Sequence, residues 1–305
     1  ILRISGPSRD APPFALDVPD TFALGPITAR IGTLRIERGR ATYRDATRGL
    51  VVDIQDLNLT ARPVRRGIDF EVHLGGVSLQ TSDVRETIAD VEGAGWIHQD
   101  RLAIRRVAGR WQERRIHATG EVRRPFAAAE LDLSIEGEAD LASLSRRFAP
   151  PWPLAGVMSA QATVQGTLDA VEVSGRLAIP RLSAGPIQAR DVAVRGRWKD
   201  GFLDLSQVTA GLFDGTLQGT FATRVARPQE TRATFTLQRA SIPALDTLAP
   251  TPLGLRGELD AEAEITGDPR RPEEMRGRVL FSGRRIILPG ELSRLGPGSV
   301  RIAGS

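Results

Sequence analysis

Cysteine is absent from all 305 residues, which excludes a disulfide framework, a thiolate metal site and a cysteine nucleophile. Histidine is scarce. His73, His98 and His117 lie far apart, with no H-x-H or H-x-x-x-H spacing of the kind zinc sites use, so no metal site is expected. Aromatic residues make up 5% of the chain, and 37 acids are interspersed among 41 basic residues. A nucleic-acid interface, which concentrates positive charge and interleaves aromatics for stacking, is not expected. Lysine occurs once, at Lys199, so the small net charge of +4 rests on arginine. No run of roughly 18 apolar residues could span a bilayer, and no basic stretch leads into a short apolar segment of signal-peptide type. The chemistry of enzymes is missing too: there is no Walker A loop, no G-x-G-x-x-G opening a helix and no G-x-S-x-G elbow. Asp260, Glu262 and Glu264 share one strand face, but like charges two residues apart read as a solvated face before they read as a calcium site. The expectation is a protein with no catalytic residue and no cofactor.

What the sequence has is alternation. Ile68, Phe70, Val72 and Leu74 are separated by Asp69, Glu71 and His73; Leu131, Leu133 and Ile135 alternate with Asp132, Ser134 and Glu136; Phe235 and Leu237 alternate with threonines and Gln238. Period two with one oily and one wet face marks half-buried strands. Asp200-Gly201 and Asp214-Gly215 sit between such runs and predict type I′ hairpin turns, hence antiparallel neighbours. With 31 glycines and 20 prolines as punctuation, no apolar helix pattern exceeds about three turns.

Two short helices are predicted, one capped by Asp140 over Leu141, Leu144 and Phe148, the other capped by Ser241 over Ile242, Leu245 and Leu248, ending at Pro150 and Pro250. They belong to an internal repeat. Leu141 and Ile242, Gly156 and Gly257, and Gly166 and Gly267 are each 101 positions apart, and Met158, Ala160, Ala162 and Val164 fall on Leu259, Ala261, Ala263 and Ile265. Each repeating unit would hold several strands and one short helix. Approximate units are 25–130, 131–231 and 232–305 of one continuous elongated β segment. Because the chain opens at Ile1 in mid-pattern and stops soon after a strand-like Ser299–Ile302, it reads as a fragment whose anchor and export signal lie outside it.

An oily sheet face must be hidden against a second sheet, a helix layer or a ligand. A closed sandwich needs large inward side chains to fill a gap of about 10 Å, whereas Ala160, Ala162, Ala261 and Ala263 occupy half of the paired inward positions. That pattern fits a sheet curved into a U-shaped trough with room for acyl chains. The short helices could cross the trough, mark joints between units or plug an ordinary core. Arginine doublets recur at Arg65-Arg66, Arg105-Arg106, Arg114-Arg115, Arg123-Arg124, Arg146-Arg147, Arg270-Arg271 and Arg284-Arg285. Their guanidinium forks suit phosphate oxygens of lipid headgroups, and they equally suit solvated strand edges that resist edge-to-edge pairing. Trp96, Trp111, Trp152 and Trp198 read as core-edge caps or interface anchors.

The segment from Leu34 to Asp45 (LRIERGRATYRD), followed by the run Val51–Leu59, resembles the recurrent phrase of the AsmA/TamB-like envelope proteins. Pro153–Gly156, Gly166–Leu168, Val173–Leu177, Trp198–Gly201 and Phe213–Gly219 are similar to that family's repeated units, and the resemblance extends over residues 25 to 285. It implies an all-β, repeat-built, mostly antiparallel elongated sheet of the β-taco kind, in the periplasm, anchored at the inner membrane through a segment outside this chain. It further implies carriage of phospholipid or another envelope lipid between the inner and outer membranes in support of outer-membrane biogenesis. The alternative it carries is a scaffold or assembly factor working with an outer-membrane β-barrel partner. The groove lining expected on the first reading is Ile68, Phe70, Val72, Leu74, Leu131, Leu133, Ile135, Met158, Ala160, Ala162, Val164, Phe235, Leu237, Leu259, Ala261, Ala263 and Ile265.

Overall fold

Side chains on an extended chain project alternately to two faces, and in the computed structural model the period-two runs form long strands of this kind. The structure describes residues 2–5, 21–24, 27–30, 32–45, 49–81, 85–125, 128–148, 152–246, 254–269, 271, 274–287 and 301–304. In chain order the elements are β1 (Leu2–Ser5), β2 (Thr21–Leu24), β3 (Ile27–Arg30), β4 (Leu34–Asp45), β5 (Leu50–Val64), β6 (Gly67–Gln80), β7 (Arg85–His98), β8 (Arg101–Trp111), β9 (Arg114–Arg123) and β10 (Glu130–Asp140). There follow α1 (Leu141–Phe148), β11 (Leu154–Ala155), β12 (Val157–Thr167), β13 (Ala170–Ala184), β14 (Ile187–Lys199), β15 (Phe202–Leu212), β16 (Gly215–Arg224) and β17 (Arg227–Ser241). The chain then continues through α2 (Ile242–Asp246), β18 (Arg256–Thr266), β19 (Arg276–Ile287) and β20 (Arg301–Gly304). The fold is all-β. The expected helix ends at Pro150 and Pro250, together with Leu248, Arg270 and Ser299, lie outside the described residues, as does the side chain of Phe148.

Two compact units divide the chain, one formed by Ile1–Glu138 with Thr163–Val171, the other by Ala139–Ala162 with Glu172–Ser305. In the first, β4 to β10 form an antiparallel meander in which each strand pairs with the next. A parallel pairing of β1 with β4 and a separate β2–β3 hairpin complete it. In the second, β13 to β19 form a second antiparallel meander, with β11 against β13 and β20 against β19.

The turn at Asp200-Gly201 is as the sequence predicts, both residues having positive φ (49° and 72°) between the paired Lys199 and Phe202. The second expected turn is displaced by one residue. Phe213 and Asp214 take the positive φ values (50° and 61°), while Gly215 already pairs with Leu212 as the first residue of β16. Glycine is required there for another reason: a Cβ on Gly215 would lie 2.4 Å from the Gln238 carbonyl oxygen. Arg65-Arg66, one of the doublets open to reading as a strand edge, forms the two-residue turn between β5 and β6.

Six non-glycine residues inside strands, Arg38, Asp56, Asp90, Asp191, Arg239 and Arg285, have φ between 47° and 54°, and each sits at a register shift. These are β-bulges, where one extra residue enters one strand and the ladder loses a partner. Neighbouring strands supply the missing acceptor in two cases: Arg38 N–H donates to Asn58 Oδ1 at 3.1 Å, and Arg239 N–H donates to Asp260 Oδ1 at 2.8 Å. Each extra residue also moves the apolar alternation by one. In β5 the odd-numbered set Leu57, Leu59 and Ala61 gives way beyond Asp56 to Ile54, Val52 and Leu50, and the cross-strand register keeps both sets on one face.

Local backbone geometry repeats at the spacing found in the sequence. Asp90 and Asp191, Gln99 and Asp200, Gln112 and Phe213, Glu113 and Asp214, Gly156 and Gly257, and Gly166 and Gly267 are pairs 101 positions apart in which both members have positive φ. The elements β8, β9 and α1 begin 101 residues before β15, β16 and α2. Ala139 and Ala240, 2% and 0% exposed, occupy the same place two residues before each helix.

Candidate functional site

Cross-strand partners in a sheet share a face, so the registers trace the apolar face row by row. In the first unit one row is Ala61, Phe70, Gly95, Ile104, Gly120 and Leu133, and the next is Pro63, Ile68, Ile97, Leu102, Val122 and Leu131. A third joins Leu59, Val72, Gly93, Val107, Ala118 and Ile135. Leu74, opposite Val91, is buried, whereas Ile68, Phe70, Val72, Leu131, Leu133, Ile135 and Val164 are half-buried. Within this unit and among the described residues, β4 to β9 make their contacts with their hydrogen-bonded neighbours.

The second unit carries equivalent rows. One runs through Leu177, Val194, Val208, Gly219, Phe235, Ala263 and Val279; another joins Ala210, Leu217, Leu237, Ala261 and Phe281; Leu259 lies between Ala240 and Gly283. Ala233, Ile265 and Gly277 form a further row. Along β12, Met158, Ala160 and Ala162 are half-buried while Val157, Ser159 and Gln161 between them are exposed. Among the described residues eleven hydrophobic side chains in all are buried, six of them alanine, so most of the large apolar groups keep one side open.

One patch of the second unit's face is covered. Asp140 caps α1, its Oδ1 accepting the Ala142 N–H at 3.1 Å, and the helix inserts Leu141 against Ile179, Ala189, Val192 and Ala210. Met158 and Leu144 pack on this cluster, and the buried Ser145 hydroxyl accepts the Leu154 N–H at 2.8 Å. Of the three roles open to the short helices, α1 takes the core-plugging one over this patch. α2 buries none of its residues.

Large side chains lie flat over glycines of the neighbouring strand. A Cβ placed on Gly95 would sit 2.6 Å from Phe70 Cζ, one on Gly219 2.4 Å from Phe235 Cδ1, one on Gly196 2.6 Å from Leu205 Cδ2 and one on Gly137 2.6 Å from Ile116 Cγ2. The result is a thin, smooth apolar layer. The sequence carries no local signal of this role for these glycines, because their partners become visible only with the register.

The opposite face is polar and laced with ion pairs: Arg105 with Asp69 (2.7 Å), Arg123 with Glu121 (3.1 Å), Lys199 with Glu172 (3.2 Å) and Arg284 with Asp260 (2.7 Å); His117 Nε2 lies 3.1 Å from a Glu136 carboxylate oxygen. With the cation of each pair in solvent, an ion pair of this kind contributes about 0.2–1 kcal/mol. His73 pairs with Glu92, and His98 stacks on Trp96 with ring centroids 5.4 Å apart. Trp111 donates Nε1–H to Glu86 at 2.8 Å, while Trp152 and Trp198 are exposed. Asp260 is held by Arg284 and by the Arg239 N–H, and among the described residues no three His, Asp or Glu side chains gather as a metal site. Clefts of about 560, 420 and 380 Å³ are among those that indent this polar face within the described residues.

No family model, curated protein or solved structure matches this chain. No described helix is long and apolar enough to cross a membrane.

Proposed function

We propose that this chain carries lipid acyl chains along its apolar face, as a segment of a periplasmic bridge between the inner and outer membranes. The observation that carries the reading is the set of apolar rows across β4 to β10, whose large side chains stay half-buried. Leaving such a face against water is costly, and fatty tails laid on it gain about 0.8 kcal/mol for each methylene removed from water. A tail can slide there, because dispersion and the hydrophobic effect have no direction and the flat-lying side chains present no lock. The reading also accords with the resemblance to AsmA/TamB-like envelope proteins.

The test is photo-crosslinking in cells from positions Phe70 and Leu133, with Glu71 and Asp132 on the polar face as controls. Lipid adducts from the first pair and none from the second are expected. Equal adducts from both faces, or none from either, overturn the proposal. Crosslinks to an outer-membrane barrel in place of lipid would favour the assembly-factor alternative.

A further inference from the structure

These polar-face clefts differ in charge. The cleft of about 560 Å³ includes Glu37, Glu71 and Glu92 beside its arginines, and that of about 420 Å³ contains Asp260 and Glu262. The third, within the second unit, is lined by Arg176 and Arg195 with Ser159, Gln161 and Gln207 and by no acid. Arg176 and Arg195 stand directly opposite each other in the β13–β14 ladder. Like charges so placed destabilise a sheet unless something negative lies between them. The next row is the facing pair Ala178 and Ala193, whose short side chains leave the floor of the cleft open. Arg176 donates Nε–H to Gln161 Oε1 at 2.6 Å, which fixes the plane of its guanidinium. The nearby acids are engaged or displaced: Glu172 holds Arg197 and Lys199, and Asp204 faces Arg197 in a different row.

We propose that Arg176 and Arg195 form a binding site for a phosphate group. Two guanidiniums take up phosphate oxygens through charge-assisted, bidentate hydrogen bonds, and Gln207 and Ser159 offer further donors at the rim. The site lies on the face opposite the apolar rows, so it stands or falls independently of acyl-chain carriage.

Phosphate binding by the whole chain is measured at constant ionic strength with inorganic phosphate against chloride. Vesicles of phosphatidylglycerol in phosphatidylcholine, and of phosphatidylcholine alone, form a second arm. Phosphate is expected to raise the melting temperature of the native chain, with the double variant Arg176→Gln/Arg195→Gln binding about tenfold or more weakly. In chloride the order reverses, the double variant melting higher because the repulsion is gone. Arg197→Gln, which removes one positive charge from an arginine paired with Glu172, should leave phosphate binding within about twofold. Binding to phosphatidylglycerol vesicles that is lost in the double variant identifies a lipid headgroup as the source, and binding of inorganic phosphate alone identifies a free phosphate. No phosphate response in the native chain, or one that survives the double variant unchanged, overturns the proposal. If the double variant does not fold, Arg176→Lys decides: it keeps the charge and loses the fork, so unimpaired binding counts against the site.

Discussion

Gly219 illustrates how much of this protein depends on the absence of a side chain. It pairs with Phe235, whose ring occupies the space a Cβ would need, and the Thr234 carbonyl oxygen is as close, at 2.4 Å. Gly219→Ala is therefore expected to cost about 1–3 kcal/mol in urea unfolding, as overpacked sites do. Gly76→Ala, where the nearest atom is 3.8 Å away, should be neutral or slightly stabilising. A second single-residue dependence lies at the Arg239 bulge, whose N–H donates to the Asp260 carboxylate at 2.8 Å. Asp260→Ala should destabilise by about 1–2 kcal/mol, and Asp260→Asn, which keeps an acceptor, by clearly less. The sequence makes Asp260 and Glu262 look alike as wet-face carboxylates. Their difference comes from a bulge on another strand, and a charged residue at positive φ inside a strand leaves no mark that alternation can reveal.

Individual strands and the capped helix were legible in the sequence because their signals are local: alternation from Ile68 to Leu74, an acceptor at Asp140, an Asp-Gly turn at Asp200. The turn at Phe213 was not, since a bulky residue in the left-handed region is a poor turn former, and Gly215 drew the prediction to itself while serving the approach of β17. Which of the three roles open to the helix it takes also lay beyond the sequence. α1 seals a patch of the apolar face with Leu141, so Asp140→Ala should loosen it by about 1 kcal/mol and Leu141→Ala by about 2–4 kcal/mol. The readout is binding of an apolar fluorescent dye to the folded protein. It should rise in both variants and change less in Ile242→Ala, because α2 has no fully buried residue. Dye binding unchanged in Leu141→Ala would show that α1 is no cover.

Across the whole chain, six pairs of positive-φ residues at a constant spacing of 101 mark two tandem copies of one backbone plan, from the strand holding Asp90 through the turn after Gly166, and again from Asp191 through Gly267. The sequence shows this repeat only around the helices and the strand that follows, where the same residue types recur; over β8 and β15 it is carried by turn positions and not by identities, as Gln112 and Phe213 illustrate. In both meanders described, each strand finds its ladder partners in its sequence neighbours. Stability in such a protein is close to a sum of local terms with nearest-neighbour coupling. Unfolding is then not all-or-none, so the calorimetric enthalpy should exceed the van't Hoff enthalpy. Hydrogen exchange should fall into at least two classes that follow the two compact units. A destabilising change in one unit, such as Val72→Asp in the middle of an apolar row, should lower protection in that unit and leave β15 to β18 within their native range. A single sharp transition with uniform loss of protection would mean that the units are coupled as one core, and the picture of locally summed strands would have to be abandoned.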